Sequence, residues 1–356
     1  MFYSQKKNKM KLVFKIIFAT FFFLNSCSQN QTEEKENAVY FWKTVFALDS
    51  TEQKFLNDFE IQKIFLRYFD IILDKNTLQP KPNATIKFKS KIPENIEIVP
   101  TVFITENCIN HNLDTLYKTI AQRILQINKT HKIQKIKEIQ IDCDYTAKSM
   151  KKYYTFLSLL QEYLNKNNIK LSTTIRLHQL SMEIPPCNYG VLMLYNTGNY
   201  RDKNCENPIL GLKETKPYLK NLKKYKLKLK TAFPNFKWQI LFKKGKFNNI
   251  LYNQDLNDTT LFEKISDNVF KVVRSRDIPI YLNTDAFNVM LNYGDTIFEK
   301  KADSKEIFNV AQEVKKIRKD ILQNIIIYDL NSVNINNLKH EEYEKIFNYS
   351  NLDITF

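Results

Sequence analysis

Ile136 to Asp144, read IKEIQIDCD, is a largely apolar run whose second half alternates strictly, Ile139, Ile141 and Cys143 against Gln140, Asp142 and Asp144. A period of two is the signature of a β-strand, and it puts the three polar residues on one face. Directly after it, Ser149 to Asn167 carries Tyr153, Phe156, Leu157, Leu160 and Leu164 three or four apart, which is one face of a helix. Leu171 to His178 then returns to strand, so this unit reads strand, helix, strand.

The same alternation extends in both directions. Val39 to Leu48 (VYFWKTVFAL) and Ile61 to Leu73 (IQKIFLRYFDIIL) are aromatic and β-branched, the second emerging from a segment that can be helical from Ser50. Ile96 to Thr105 is a strand, and Leu113, Leu116, Ile120, Ile124 and Ile127 mark a helix over Leu113 to Asn128. Gly190 to Asn196, Leu227 to Phe242 (broken at Pro234), Ile278 to Leu282 and Ile325 to Leu330 supply further strand material, with a helix over Ser304 to Leu322. Near-continuous apolar strands separated by helices imply a parallel sheet covered on both faces. About eight of them in a chain of this length favour a closed (β/α)8 TIM-type barrel, an α/β fold in a single domain over residues 39–356. None of the 5 glycines forms G-x-G, so a nucleotide cofactor held on a glycine-rich turn is not expected, and no cofactor or metal set is legible.

The N-terminus is of another character. Lys6, Lys7, Lys9, Lys11 and Lys15 precede the uncharged run Ile16 to Leu24, which is far shorter than the roughly 20 residues that span a bilayer. Residues 1–26 therefore read as a signal peptide. Leu24-Asn25-Ser26-Cys27 resembles a bacterial lipobox, with Cys27 as the lipidated residue. Residues 27–38, with Glu33, Glu34 and Glu36, read as a flexible acidic tether, solvated or resembling a surface-export signal. The expected location is the cell envelope, lipid-anchored, at the periplasmic or surface face of an outer membrane. The chain's 54 Lys and Arg against 38 Asp and Glu give +16, but glycine scarcity beside abundant Lys, Asn, Ile and Phe points to AT-rich codon bias rather than a polyanion. The basic stretch Lys213 to Lys230 is read as facing solvent or anionic glycolipid, and no nucleic-acid partner is expected. In an oxidising compartment Cys187 and Cys205 can bridge one loop, while Cys143 reads as a buried hydrophobe.

In barrels of this kind ligands gather at the C-terminal ends of the strands. Asp142 and Asp144 there can hold sugar hydroxyls or serve acid–base chemistry; equally, Asp144 can cap a helix while Asp142 pairs with Arg176. Thr174, Arg176 and His178 share a face of the next strand by the same period. Arg67, Asp70, Glu106, Asn196 and Asp329 are candidates by position, and Trp42, Tyr195, Trp238 and Tyr281 offer aromatic platforms for a sugar.

Ile139-Gln140-Ile141-Asp142-Cys143-Asp144-Tyr145-Thr146 resembles the D-x-x-D-x-D-x-E strand of chitinase-like glycoside hydrolases, and Met193-Leu194-Tyr195-Asn196 resembles their M-x-Y-D strand. The resemblance implies that Asp142 and Asp144 stand for the motif's second and third acids and Tyr195 for the tyrosine that meets the substrate's acetamido group. Thr146 stands at the place of the catalytic glutamic acid, Ile139 at that of the first aspartate and Asn196 at that of an aspartate. The overall layout is also similar to lipoproteins of Gram-negative glycan-degrading bacteria.

Two functions follow as expectations. One is hydrolysis of an oligosaccharide with a relocated acid, Asp144, Asp142 and Glu106 being the catalytic candidates and Asp144 pairing with Glu106, Asp70 or Asp329. The other is an inactive glycan-binding or scaffold lipoprotein. In both, Arg67, Asp70, Arg176, His178, Tyr195, Asn196 and Trp238 contact the glycan; threonine at 146 cannot protonate a leaving group, which counts against the first.

Overall fold

The apolar alternation of IKEIQID becomes a strand with both faces buried, Glu138–Asp142, in a computed structural model that describes residues 35–111, 115–133, 136–282 and 285–351. It is β4 of a parallel set: β1 Ala38–Phe41, β2 Lys63–Leu73, β3 Glu97–Ile104, β5 Lys170–Ile175, β6 Tyr189–Met193, β7 Leu229–Pro234 and β8 Ile325–Tyr328. Each strand pairs in parallel with its neighbours in this order, and β1 pairs with both β8 and β2, so the sheet closes into an eight-stranded barrel.

The period of two sorts side chains into two cores. Ile139, Ile141 and Cys143 point outward into an apolar layer shared with helices such as Leu116–Thr130, Met150–Asn165 and Ser304–Arg318. Ala38, Tyr40, Phe65, Val99, Val191, Met193, Ala232 and Ile326 point inward and fill the barrel. Gln140 is one of the polar residues inside; it accepts from the Tyr40 hydroxyl at 2.8 Å, which keeps both buried groups satisfied.

Two strand expectations are corrected. Val39 to Leu48 is not one strand: it breaks at Trp42, and Val45–Phe46 pairs instead with Lys87–Phe88. The break expected at Pro234 within Leu227 to Phe242 is found, and it separates two sheets, β7 ending at Pro234 and Lys237–Lys243 entering a five-stranded antiparallel sheet. Ile278 to Leu282 is no barrel strand but one arm of a hairpin, Arg276–Leu282 with Asp285–Leu291. An insertion of short antiparallel strands, residues 237–301, thus interrupts the barrel between β7 and the helix Ser304–Arg318. Its local chemistry explains it. Lys244 and Gly245 both have positive φ, +48° and +75°, between paired Lys243 and Lys246, which is the backbone of a two-residue hairpin turn. The helix expected over Ser304 to Leu322 ends its α-helical part at Arg318 and finishes as a 3-10 turn, Lys319–Leu322.

The leader, Cys27, the first part of the tether and Leu113 lie outside the described residues. Cys187 and Cys205 are both free thiols. Among the described residues no helix is long and apolar enough to cross a membrane.

Candidate functional site

Each barrel strand ends at one rim, and a cleft of about 510 Å³ opens there. Its wall takes Trp42 from beyond β1, Arg67 and Asp70 from β2, Phe103 from β3, Asp142 from β4, Arg176 from beyond β5, Tyr195 and Asn196 from beyond β6, Tyr328 from β8 and Asp329 from just beyond it. The insertion adds Trp238, Gln239 and Tyr252.

The floor is aromatic. Tyr195 stacks on Tyr328 with ring centroids 5.0 Å apart, Phe236 meets both edge-on, and Trp42 leans on Tyr328 at 5.9 Å. Tyr195 is held by a hydroxyl contact to the Met193 sulfur at 2.9 Å. Stacked rings with offset faces present the apolar surface that the C–H face of a sugar covers.

Around this floor most acids are bound to arginines. Asp70 forms a fork with Arg67, whose Nε donates to Oδ1 at 2.8 Å; both side chains are buried, and the Arg67 guanidinium lies 5.5 Å over the Trp42 ring. A register shift between Arg67 and Phe69 gives the strand the bulge that brings residues three apart together. Arg176 spans two carboxylates. Its Nη2 donates to Asp142 at 3.0 Å and its Nε to Asp144, while Thr174 donates to the same Asp142 oxygen at 2.6 Å. Burial pushes the Asp142 carboxyl above its usual value, Arg176 opposes that and Asp144 adds to it. Asp144 is 56% exposed and stands at a smaller depression of about 250 Å³ lined also by Arg176, His178, Tyr195 and Asn196.

His178 does not share a strand face with Thr174 and Arg176: β5 stops at Ile175 and Leu177–Ser181 is a 3-10 turn. Its ring is exposed, with Nε2 3.5 Å from the Tyr145 carbonyl oxygen. Asn196 sits exposed with φ +55°, a left-handed conformation that asparagine tolerates. Glu106 lies away from the cleft wall. Its Oε1 accepts from the Thr146 amide at 3.2 Å, the Thr146 hydroxyl at 2.5 Å and the Ser149 hydroxyl at 2.7 Å, and the Thr146 and Ser149 bonds hold the carboxyl below its usual value. Thr146 therefore turns its hydroxyl to Glu106. The strand of Tyr281 belongs to the hairpin of the insertion, and the Tyr281 side chain lies outside the described residues.

Asp329 is different. It is buried, 7% exposed, and one oxygen accepts from Asn334 Nδ2 at 2.6 Å. Burial raises its pKa to about 6, against the Asn334 hydrogen bond and the more distant Lys43. The Asn331 side chain caps the single helical turn Ser332–Ile335 and so sets Asn334 in reach. Sequence reasoning missed Tyr328, Phe236 and Asn334. The tyrosine immediately before Asp329, at the end of the apolar run IIIYDL, was the available signal for the first; the other two needed the turn geometry.

The barrel is similar in fold to those of solved chitinases. A chitinase from Chromobacterium violaceum matches with a TM-score of 0.53 at 9% identity, over 90% of this chain and 100% of its own. The ChiB chitinase from the chitin utilization locus of Flavobacterium johnsoniae gives 0.51 at 11% identity over 88% and 94%. The C-terminal domain of a putative chitinase from Desulfitobacterium hafniense gives 0.51 at 10% identity over 89% and 99%. At such identities the likeness establishes the fold. No protein-family model matches the chain, and no curated protein does.

Proposed function

We propose that the cleft binds an oligosaccharide, with N-acetylglucosamine-containing chains as the first class to examine, and that Cys27 anchors the protein by lipid in the cell envelope. The observation that carries the glycan is the combination at one rim: an aromatic floor of Tyr195, Tyr328, Phe236 and Trp42 ringed by the fixed polar groups of Arg67–Asp70 and Arg176–Asp142. A sugar needs both an apolar face to stack on and rigid hydrogen-bonding partners for its hydroxyls. Tyr195, Asn196 and Arg176 are shared with the smaller depression, so a chain of sugars can run from the cleft past Asp144 and His178. The likeness to chitinase barrels supports a carbohydrate, and Thr146, bonded to Glu106, supplies no acid at the family's place. Nucleic acid has no part in this reading. Lys230, from the basic stretch, is 9% exposed and ion-paired to Glu36 rather than displayed.

Isothermal titration of the full chain with a panel of oligosaccharides tests the reading. Saturable heat with a chitin tetrasaccharide, reduced at least tenfold in affinity by Arg176→Met, is the expected result. The same affinity in wild type and variant contradicts it. The anchor is tested separately, by whether Cys27→Ala moves the protein from the membrane to the soluble fraction.

A further inference from the structure

We propose that Asp329 is the proton donor of this cleft, so that the bound glycan is cleaved by an acid immediately after the last barrel strand in place of the one missing at Thr146. The inference rests on the glycan reading above. Its basis is the partner accounting of the carboxylates that line the cleft. Asp70 is forked by Arg67, and Asp142 is held by Arg176 and Thr174, so neither can give up or accept a proton without losing a short charge-assisted contact. Asp144, at the adjoining depression, shares the same guanidinium. Among the described residues Asp329 is the carboxyl of the cleft wall that forms no ion pair; one neutral amide, Asn334, holds it.

Its position suits the role. It follows Tyr328, whose ring makes the floor, so a sugar stacked on Tyr328 and Tyr195 has the carboxyl beside it. The backbone of Asp329 is fixed by Asn235, whose Nδ2 donates to its carbonyl at 3.1 Å. The other charged and titratable groups facing it are Lys43, which is paired with Glu52, together with Tyr195, Tyr328 and Tyr343. Burial lifts the carboxyl to about 6, so it carries its proton over part of the mildly acidic range, as a general acid must.

The step balances with water alone. The Asp329 carboxyl proton passes to the glycosidic oxygen while the bond from that oxygen to the anomeric carbon breaks, the electron pair leaving with the oxygen. A water oxygen then bonds to the anomeric carbon and its proton returns to the Asp329 carboxylate.

The test measures reducing ends released from a chitin tetrasaccharide between pH 4 and 8, with binding of the same sugar followed by calorimetry in each variant. Wild type is expected to turn over and to lose activity as pH rises through about 6. Asp329→Asn is expected to bind within threefold of wild type and lose at least about 100-fold in rate. Asn334→Ala removes the hydrogen bond that favours the ionised form, so its falling limb moves to higher pH, a shift that a merely structural role would not produce. Binding without turnover in wild type, or full turnover in Asp329→Asn, overturns the inference and leaves the glycan reading standing. Absence of binding overturns both.

Discussion

The two rims of the barrel both carry buried cations and carboxylates, lysine with glutamate at one and arginine with aspartate at the other, and use them in opposite ways. At the N-terminal rim Lys63 reaches Glu36, Glu97 and Glu138 at 3.1, 3.5 and 3.5 Å, and Lys230 takes a second oxygen of Glu36. Glu138 also accepts from Ser172 and Tyr189. Burial pulls the Lys63 ammonium down, but the three glutamates outweigh it and hold it above its usual value. At the C-terminal rim the arginines also hold carboxylates, yet Asp329 forms no ion pair among the described residues and a cleft stays open above it. A satisfied ionic network closes a barrel end, whereas an unpaired buried carboxyl costs stability and keeps its proton chemistry available.

The largest expected effect breaks the closed rim. Lys63→Met leaves three glutamates facing one another at a buried site, and a loss of about 3 to 5 kcal/mol is expected in urea unfolding. Glycan affinity of the folded fraction should stay at the wild-type value, since the change is at the other end.

Asp329→Asn sharpens the contrast with an effect of opposite sign. A carboxyl at about 6 binds its proton more tightly folded than unfolded, so folding stability falls as pH rises from about 4 to about 6 and is level above. The variant loses that penalty. It is expected to be more stable than wild type by up to roughly 3 kcal/mol at pH 7 and no more stable at pH 3, checked by unfolding at both. A destabilised variant at pH 7 would place Asp329 with the structural acids.

How much of this was readable in the sequence depends on whether the signal was local. Period two in IQIDCD put Gln140 and Asp142 on the inner face and Ile139 and Ile141 on the outer, as found. It failed one step on: alternation cannot announce that β5 stops at Ile175, so His178 falls on a 3-10 turn. The insertion was hidden because its strands, such as Lys246–Leu251, mix lysine and asparagine with apolar residues and carry no strong period. Pairing was read only in part: Asp142 with Arg176 was one of the two readings and is found. That Arg176 would take Asp144 as well, while Glu106 would go to Thr146, depends on neighbours far apart in sequence.

Glu106 supplies the smallest test. Glu106→Gln weakens its bonds to Thr146 and Ser149, for an expected cost of about 1 kcal/mol in unfolding free energy and no change in glycan affinity. A marked loss of affinity would move the binding surface toward that loop.

The chain has two tryptophans, Trp42 and Trp238, and both line the cleft. Selectively excited tryptophan emission therefore reports on the C-terminal rim, and following it while the full chain is titrated with a chitin tetrasaccharide is the most direct test. The account predicts a saturable change whose midpoint matches the calorimetric affinity. Heat of binding with unchanged tryptophan emission would mean that the sugar sits elsewhere, and would contradict it.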